Sequence, residues 1–255
     1  MGREQLWNVP TASLDRPAVL WLLMLRSIAL FLLTLFTLQA QISDPNANGW
    51  FVYTGDHKFS ETSKWGLHLE GQWRRNDVIV KPQQLLIRPG INYEINKHIE
   101  IGGGYAYVPT YRYGTYPIRT SFTEHRLFQN LILRHKLGRL SLMHRFRFEE
   151  RFLRPVLKYE NRFRHLIKGT IPIKGPWYVT AYNEVFIPFK PEVHPAFSDQ
   201  NRTAALIGRK LNGHWRAEVG YMYQPIWLRN GRVREDNSTL MVMLWSDQPF
   251  TNSRK

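Results

Sequence analysis

A two-residue hydrophobic period recurs along most of the chain and constrains its fold more than any other feature. Between residues 65 and 73, apolar or small residues occupy the odd positions, and most of the even positions are polar. Similar alternation covers residues 99–107, 142–149 and 215–224. Successive side chains of a strand point to opposite faces, so alternation gives the strand one apolar and one polar face. The pattern predicts strands, and no comparable helical period is present.

Eleven such runs are separated by turns or by longer connections. Tight turns are marked by residues such as Asn96-Lys97 and Asn212-Gly213. The runs lie near 50–59, 64–74, 83–95, 98–109, 122–136, 140–152, 156–167, 177–187, 201–211, 214–224 and 238–245. The sequence therefore predicts an all-β protein with a single antiparallel β-barrel of 10–12 strands over residues 49–246. Residues 247–255 are interpreted as a C-terminal tail.

The spacing of two tryptophans favours a transmembrane barrel over a soluble one. Trp65 and Trp73 share one face and lie eight residues apart, which is about 26 Å along a strand. With a strand tilt of about 40°, this becomes roughly 20 Å along the membrane normal, close to the height of an apolar band between aromatic girdles. A soluble, lipocalin-like binding protein stays the alternative, because it would also show alternation.

Two details of the runs conflict with the simplest barrel. Bacterial single-chain barrels normally have an even number of strands, whereas eleven runs are found. Either a strand is missed within 110–121, or the run at 50–59 does not cross the barrel. Pro89 also interrupts the third run, and since proline donates no ladder hydrogen bond, a bulge or a strand end is expected there.

The first forty residues predict export. The stretch Ile28–Leu38 is apolar and uncharged, Arg26 precedes it, and Ala40 follows it closely. A basic residue, a short apolar run and a small residue before the cleavage point are typical of a secretory signal peptide. The run is shorter than the roughly 20 apolar residues of a membrane-spanning helix. A single anchor interrupted by Arg26 is the competing interpretation.

The mature chain is predicted to begin near Gln41, after cleavage at Ala40. A chain starting at Met24 would carry a compact signal peptide, so residues 1–23 are interpreted as an upstream extension. These features predict the outer membrane of a Gram-negative bacterium as the location. The expected partners are outer-membrane lipid and lipopolysaccharide, with the barrel assembly machinery acting during insertion.

A set of arginine and glutamate residues on the polar faces is the main candidate site. The guanidinium group pairs with carboxylates through two parallel hydrogen bonds, and buried charges require such partners. One interpretation is a structural ladder inside the barrel, and the other is an anion-selective lining, because arginine exceeds glutamate. The set comprises Glu124, Arg126, Arg145, Arg147, Glu149, Arg151, Glu160, Arg162, Arg164, Glu184, Arg202, Arg216 and Glu218.

Catalytic, metal and cofactor sites are not predicted. The chain has no cysteine, and its nine histidines lack the spacing of zinc ligands. Ser141 and His144 project to opposite faces of one strand, so they cannot form a dyad there. The net charge of +15 does not predict nucleic-acid binding, because the arginines are spread over many strands of an exported chain. A barrel enzyme that acts on lipid or lipopolysaccharide is kept as the alternative function.

Several short motifs resemble those of the bacterial family called domain of unknown function 2490, which is common in the Bacteroidetes and Proteobacteria. The resemblance implies an outer-membrane β-barrel with no established activity and no catalytic residues. Either a small passive conduit or a structural envelope component would fit. The motifs are His144–Phe152, Glu124-His-Arg126 with Gln129, Asn183–Phe186, Asp199–Arg202 and Glu218–Tyr221. The Gln-Ala-Gln cleavage region also resembles a Bacteroidetes signal peptide.

Overall fold

The computed structural model describes residues 42–114, 121–189, 198–228 and 233–251, so the predicted signal peptide lies outside the described residues. No helix in these segments is long and apolar enough to cross a membrane. The strands are β1 (Ile42–Lys58), β2 (Trp65–Asn76), β3 (Lys81–Asn96), β4 (Ile99–Thr110), β5 (Phe122–Leu137), β6 (Leu140–Arg154), β7 (Lys158–Pro172), β8 (Trp177–Pro188), β9 (Gln200–Lys210), β10 (Trp215–Trp227) and β11 (Val233–Ser246).

The eleven strands form one closed barrel in which each strand pairs with its neighbours in sequence. Ten of the pairs are antiparallel, as predicted. The prediction is wrong at the closure, where β1 and β11 run parallel from Ile42↔Val233 to Gly55↔Ser246. An odd number of alternating strands forces this result, because the first and the last strand then point the same way. The run near 50–59 does cross, as part of β1.

The two ends of the barrel differ in their connections. The turn end carries the short connections β1–β2, β3–β4, β5–β6, β7–β8 and β9–β10, and β11 ends there. The loop end carries the start of β1, the short connections β2–β3 and β6–β7, the β10–β11 connection, and the long connections over 111–121 and 189–199. The connection over 225–237 is much shorter than the sequence suggests, because β10 and β11 extend into it as regular strands.

Pro89 lies within a continuous β3, so the predicted bulge or strand end at this residue is wrong. The β3–β4 ladder pairs Ile87 with Tyr107 and resumes at Gly90 with Gly104, which leaves the proline in a gap of the ladder. The two strands are very close there. A Cβ atom added to Gly104 would lie 2.3 Å from the carbonyl oxygen of Pro89 and 2.5 Å from the Cα of Gly90. Glycine permits this approach, which a larger residue would prevent.

The outer face carries a belt of exposed apolar side chains. On β2, Leu67 and Leu69 point outward, whereas His68 and Glu70 point inward and are buried. Trp65 and Trp73 lie at opposite ends of the outward face of β2, and each is about half exposed, at 52% and 50%. Other members of this apolar belt, drawn from eight further strands, are Ile87, Ile91, Ile101, Leu131, Ile167, Val179, Ile207, Val219, Val242 and Leu244.

The interior is packed with side chains at mid-height. Every strand contributes at least one inward side chain that solvent barely reaches, as is usual for small barrels. These residues are Val52, Glu70, Arg88, Ala106, Phe128, Arg147, Arg164, Glu184, Leu206, Met222 and Met241. One side of this layer differs from the sequence-based expectation of a polar interior, since β1, β9, β10 and β11 contribute a buried apolar cluster. We call this cluster the apolar wall; it comprises Trp50, Val52, Ala204, Leu206, Met222 and Met241.

Candidate functional site

Glu149 is the centre of the larger ion-pair cluster inside the barrel. It lies on β6, is 0% exposed, and faces two arginines of the adjacent β7. Arg162 donates hydrogen bonds from Nε (3.1 Å) and Nη2 (2.6 Å) to Oε2 of Glu149. Arg164 donates from Nη1 to Oε1 at 2.6 Å. Both carboxylate oxygens therefore accept charge-assisted hydrogen bonds, which are the strongest kind in proteins.

Arg164 connects this glutamate to a second buried carboxylate, Glu184 on β8. Its Nε and Nη2 atoms donate to Oε1 of Glu184 at 3.0 and 2.6 Å. Arg145 donates to the same oxygen at 2.8 Å, and Arg202 on β9 approaches the other oxygen at 3.4 Å. These six residues lie on four neighbouring strands, β6 to β9, and their ion pairs connect these strands.

A smaller cluster lies nearer the loop end around Glu124 on β5. Arg126 donates from Nε at 2.8 Å, and Arg151 donates from Nε and Nη2 at 2.9 Å each. Arg151 also donates from Nη1 to Glu160 at 2.9 Å. Ten residues of the candidate set thus form two clusters. Ion pairs between their inward side chains connect the five strands β5 to β9.

Arg147 is buried without an acidic partner. Its Nε donates to Oδ1 of Asn130 at 2.7 Å, and its guanidinium lies 4.8 Å from the centre of the Phe128 ring. Among the described residues, no carboxylate lies within ion-pairing distance of Arg147, and its Nη1 atom has no hydrogen-bond partner. Arg88 lies on the same ring, 5.5 Å from its centre, and pairs with Glu70 at 2.6 Å.

Arg216 and Glu218 lie apart from both clusters, near the turn end. Glu218 accepts hydrogen bonds from the Tyr178 hydroxyl and from Nε1 of Trp245, each at 3.0 Å. Arg216 is partly exposed and lies 3.7 Å from Asp247, beyond the end of β11. They face the interior like the others, but they occupy a different height of the barrel.

Three described aromatic side chains inside the barrel face arginines and were not among the candidates. Phe186 is fully buried and has the guanidinium groups of Arg162, Arg164 and Arg202 at 4.5–5.0 Å from its ring centre. The other two are Phe128 and Trp50, and Trp50 has Arg74 at 3.8 Å. Attraction between the guanidinium charge and the ring face favours this arrangement. A sequence signal for these residues was available: each is an aromatic residue at an inward position of a strand that also carries polar or charged inward residues.

A cavity of about 260 Å³ opens at the loop end. We call it the loop-end vestibule. It is lined by five arginines (Arg74, Arg126, Arg151, Arg162 and Arg202), by Glu124, Asp199 and Glu235, and by side-chain amides that include Gln83, Gln84 and Gln224. Asp199 lies in the connection before β9, and burial raises the pKa of its carboxyl although the charges of Arg162 and Arg151 oppose this shift.

Three histidines of the outer face, His135, His144 and His165, stack on one another. His144 lies against His165 and His135 with ring centres 5.5 and 5.6 Å apart, and the rings are nearly parallel. Within residues 42–114, 121–189, 198–228 and 233–251, no group of three or more histidine or acidic side chains is arranged to hold a metal ion.

The fold and the interior together define a closed eleven-stranded β-barrel with a charge-packed interior. The model of the family described as "Protein of unknown function (DUF2490)" matches residues 47–235, and the chain belongs to this family. No curated protein matches the chain. A solved structure entitled "NanC porin structure in rhombohedral crystal form" is similar with a TM-score of 0.43 and 11% identity, covering 74% of this chain and 92% of that one.

Proposed function

We propose that the protein is an exported barrel of the outer membrane and that it serves as a structural component of the envelope. One observation carries the proposal: apolar side chains face outward around the barrel, while buried charges, most of them paired, occupy the interior beside the apolar wall. In a soluble barrel the distribution is the reverse, with the charged face in water. A transmembrane barrel needs an apolar outer band, and the apolar belt provides one.

The packed layer at mid-height supports a structural role over an open conduit. Free passage of a solute needs a water-filled path, and wide barrels have one. Here Phe128, Arg147 and Glu149 are at most 2% exposed, although they face the barrel axis. The ion pairs hold this layer together, because breaking a pair would leave a charge buried without a partner.

An anion-selective conduit is the second candidate, and Arg147 is the observation that favours it. This arginine is 1% exposed and has a free Nη1 donor within the described part of the interior. A passing anion would gain a hydrogen bond there. The conduit requires the ring of Phe128 to move, because it is in contact with Arg147 and Arg88 in the packed layer.

Conductance of the purified barrel in planar lipid bilayers separates the two candidates. The wild-type protein is expected to insert without steady conductance steps. Phe128→Ala removes a buried ring from the packed layer and is expected to produce steps that prefer anions. Phe146→Ala is the matched control, because Phe146 lies on the outward face of the adjacent strand.

Each outcome of the conductance measurement has a definite meaning. Steady conductance steps from the wild-type protein would contradict the structural role and support the anion-selective conduit. The absence of conductance steps from Phe128→Ala would show that the Phe128 ring does not close the interior. A protein that stays soluble without detergent and does not float with lipid vesicles would contradict the membrane location itself.

A further inference from the structure

Arg74 is a buried cation without an acidic partner at the wall of the loop-end vestibule. It is 7% exposed, and among the described residues no carboxylate lies within ion-pairing distance of its guanidinium. Its hydrogen bonds go to the neutral side chains of Gln72 and Gln84. Its planar group lies 3.8 Å from the centre of the Trp50 ring. A cation buried in this way lacks the opposite charge that usually offsets its loss of hydration.

The charges nearest to Arg74 are mostly of the same sign. Arg202, Arg126 and Arg88 are the guanidinium groups that act on it through space, and the carboxylate of Glu70, which pairs with Arg88, opposes them. Arg202 lies on the same tryptophan, 5.0 Å from the ring centre. Like charges gathered around one site repel one another, and a bound anion would relieve this repulsion.

The acidic groups of the vestibule do not neutralise this charge. Glu124 already pairs with Arg126 and Arg151 through both of its oxygens. Glu235 accepts a hydrogen bond from the amide of Asn237 at 3.2 Å. Burial of Asp199 disfavours its ionised form, and its Oδ1 atom has no hydrogen-bond partner among the described residues. Among the described residues of the vestibule, five arginines therefore face three acids, and none of these acids forms an ion pair with Arg74.

We propose that the loop-end vestibule is a binding site for a small anion that carries a phosphate or carboxylate group. The guanidinium groups of Arg74, Arg126 and Arg202 would contact the anionic group, since their planar donors match its oxygens. The amides of Gln83 and Gln224 would contact its remaining polar atoms. The cavity volume of about 260 Å³ is sufficient for a small anion. The site goes beyond the structural role and does not require conduction.

Binding of inorganic phosphate to the folded barrel in non-ionic detergent tests the proposal. The broadening of the ³¹P resonance is followed during titration at constant ionic strength, with chloride as the balancing ion. Saturable binding by the wild-type protein is expected, with at least about tenfold weaker binding by Arg74→Gln. Arg75→Gln is the matched control, because it removes the same charge from the next residue, which points outward and contacts backbone oxygens of Ile79 and Val80. It is expected to bind phosphate like the wild-type protein.

Other variants and probes cover the remaining outcomes. Arg74→Lys keeps the charge but not the planar donors, and intermediate binding is expected even if Arg74→Gln does not fold. Equal binding by the wild-type protein and by both Arg74 variants would overturn the proposal, as would the absence of saturable binding. Binding only of micelles that contain phosphatidylglycerol would assign the site to a lipid headgroup and overturn the free anion as ligand. None of these results affects the membrane location, which vesicle flotation tests separately.

Discussion

Glu149→Gln is expected to lower the free energy of unfolding by about 3–5 kcal/mol, the usual cost of removing one partner of a buried ion pair. The carboxylate accepts hydrogen bonds from Arg162 and Arg164 and is fully buried. An amide of the same size cannot neutralise either cation. Both arginines would therefore stay buried without the negative charge that offsets their loss of hydration. Equilibrium unfolding by urea from detergent micelles, followed by tryptophan fluorescence, measures the change.

Glu150→Gln is the matched control for this prediction. Glu150 is the next residue of β6 and points outward, where its contact is the Tyr159 hydroxyl at 3.5 Å. Its substitution is expected to change the free energy of unfolding by about 0.5 kcal/mol or less, as for most surface positions. Equal effects of the two substitutions would show that the charges face ordinary solvent and would refute the packed interior.

Leu69→Arg is expected to destabilise the barrel in lipid vesicles by about 2–4 kcal/mol, the cost of an arginine on the lipid face near the bilayer midplane. Leu69 lies on the outward face of β2, four residues from each of Trp65 and Trp73. If these tryptophans mark the two membrane interfaces, Leu69 is close to the centre. Urea unfolding in vesicles of known thickness gives the free-energy difference.

Val80→Arg is the matched control for the lipid-facing substitution. Val80 is 69% exposed in the connection between β2 and β3, at the loop end. Outside the hydrocarbon region, the same change from an aliphatic residue to arginine is expected to cost about 0–1 kcal/mol. A small effect at both positions would indicate that water, rather than lipid, surrounds the barrel.

Much of the strand architecture could be predicted because its causes are local. Alternation sets the faces, and turn residues such as Gly138 and Gly175, which adopt positive φ angles, set the ends. The first eight residues of β1 were missed because Asp44, Asn46 and Asn48 point inward and offer no apolar alternation. The parallel closure depends on strand number and on pairing between the two ends of the chain, which no local pattern contains.

The candidate site could be predicted by residue type but not by partner. Inward position follows from the parity of the alternation, and Arg147 and Glu149 both lie on the buried face of β6. The partner of each charge depends on the register between strands. This register places Arg216 and Glu218 near the turn end, apart from both clusters. Arg74 was omitted because its importance comes from what surrounds it: neutral amides and other arginines rather than carboxylates.

The accessibility of a spin label on the outer face tests the membrane-spanning barrel most directly. The chain contains no cysteine, so Leu69→Cys gives a single attachment point, and Thr62→Cys in the exposed β1–β2 turn gives the water-facing reference. In lipid vesicles, the label at residue 69 is expected to collide readily with oxygen, which concentrates in hydrocarbon, and rarely with a water-soluble nickel complex. The label at residue 62 is expected to show the reverse. Equal access of the nickel complex to both positions would contradict the account, because the apolar belt would then face water.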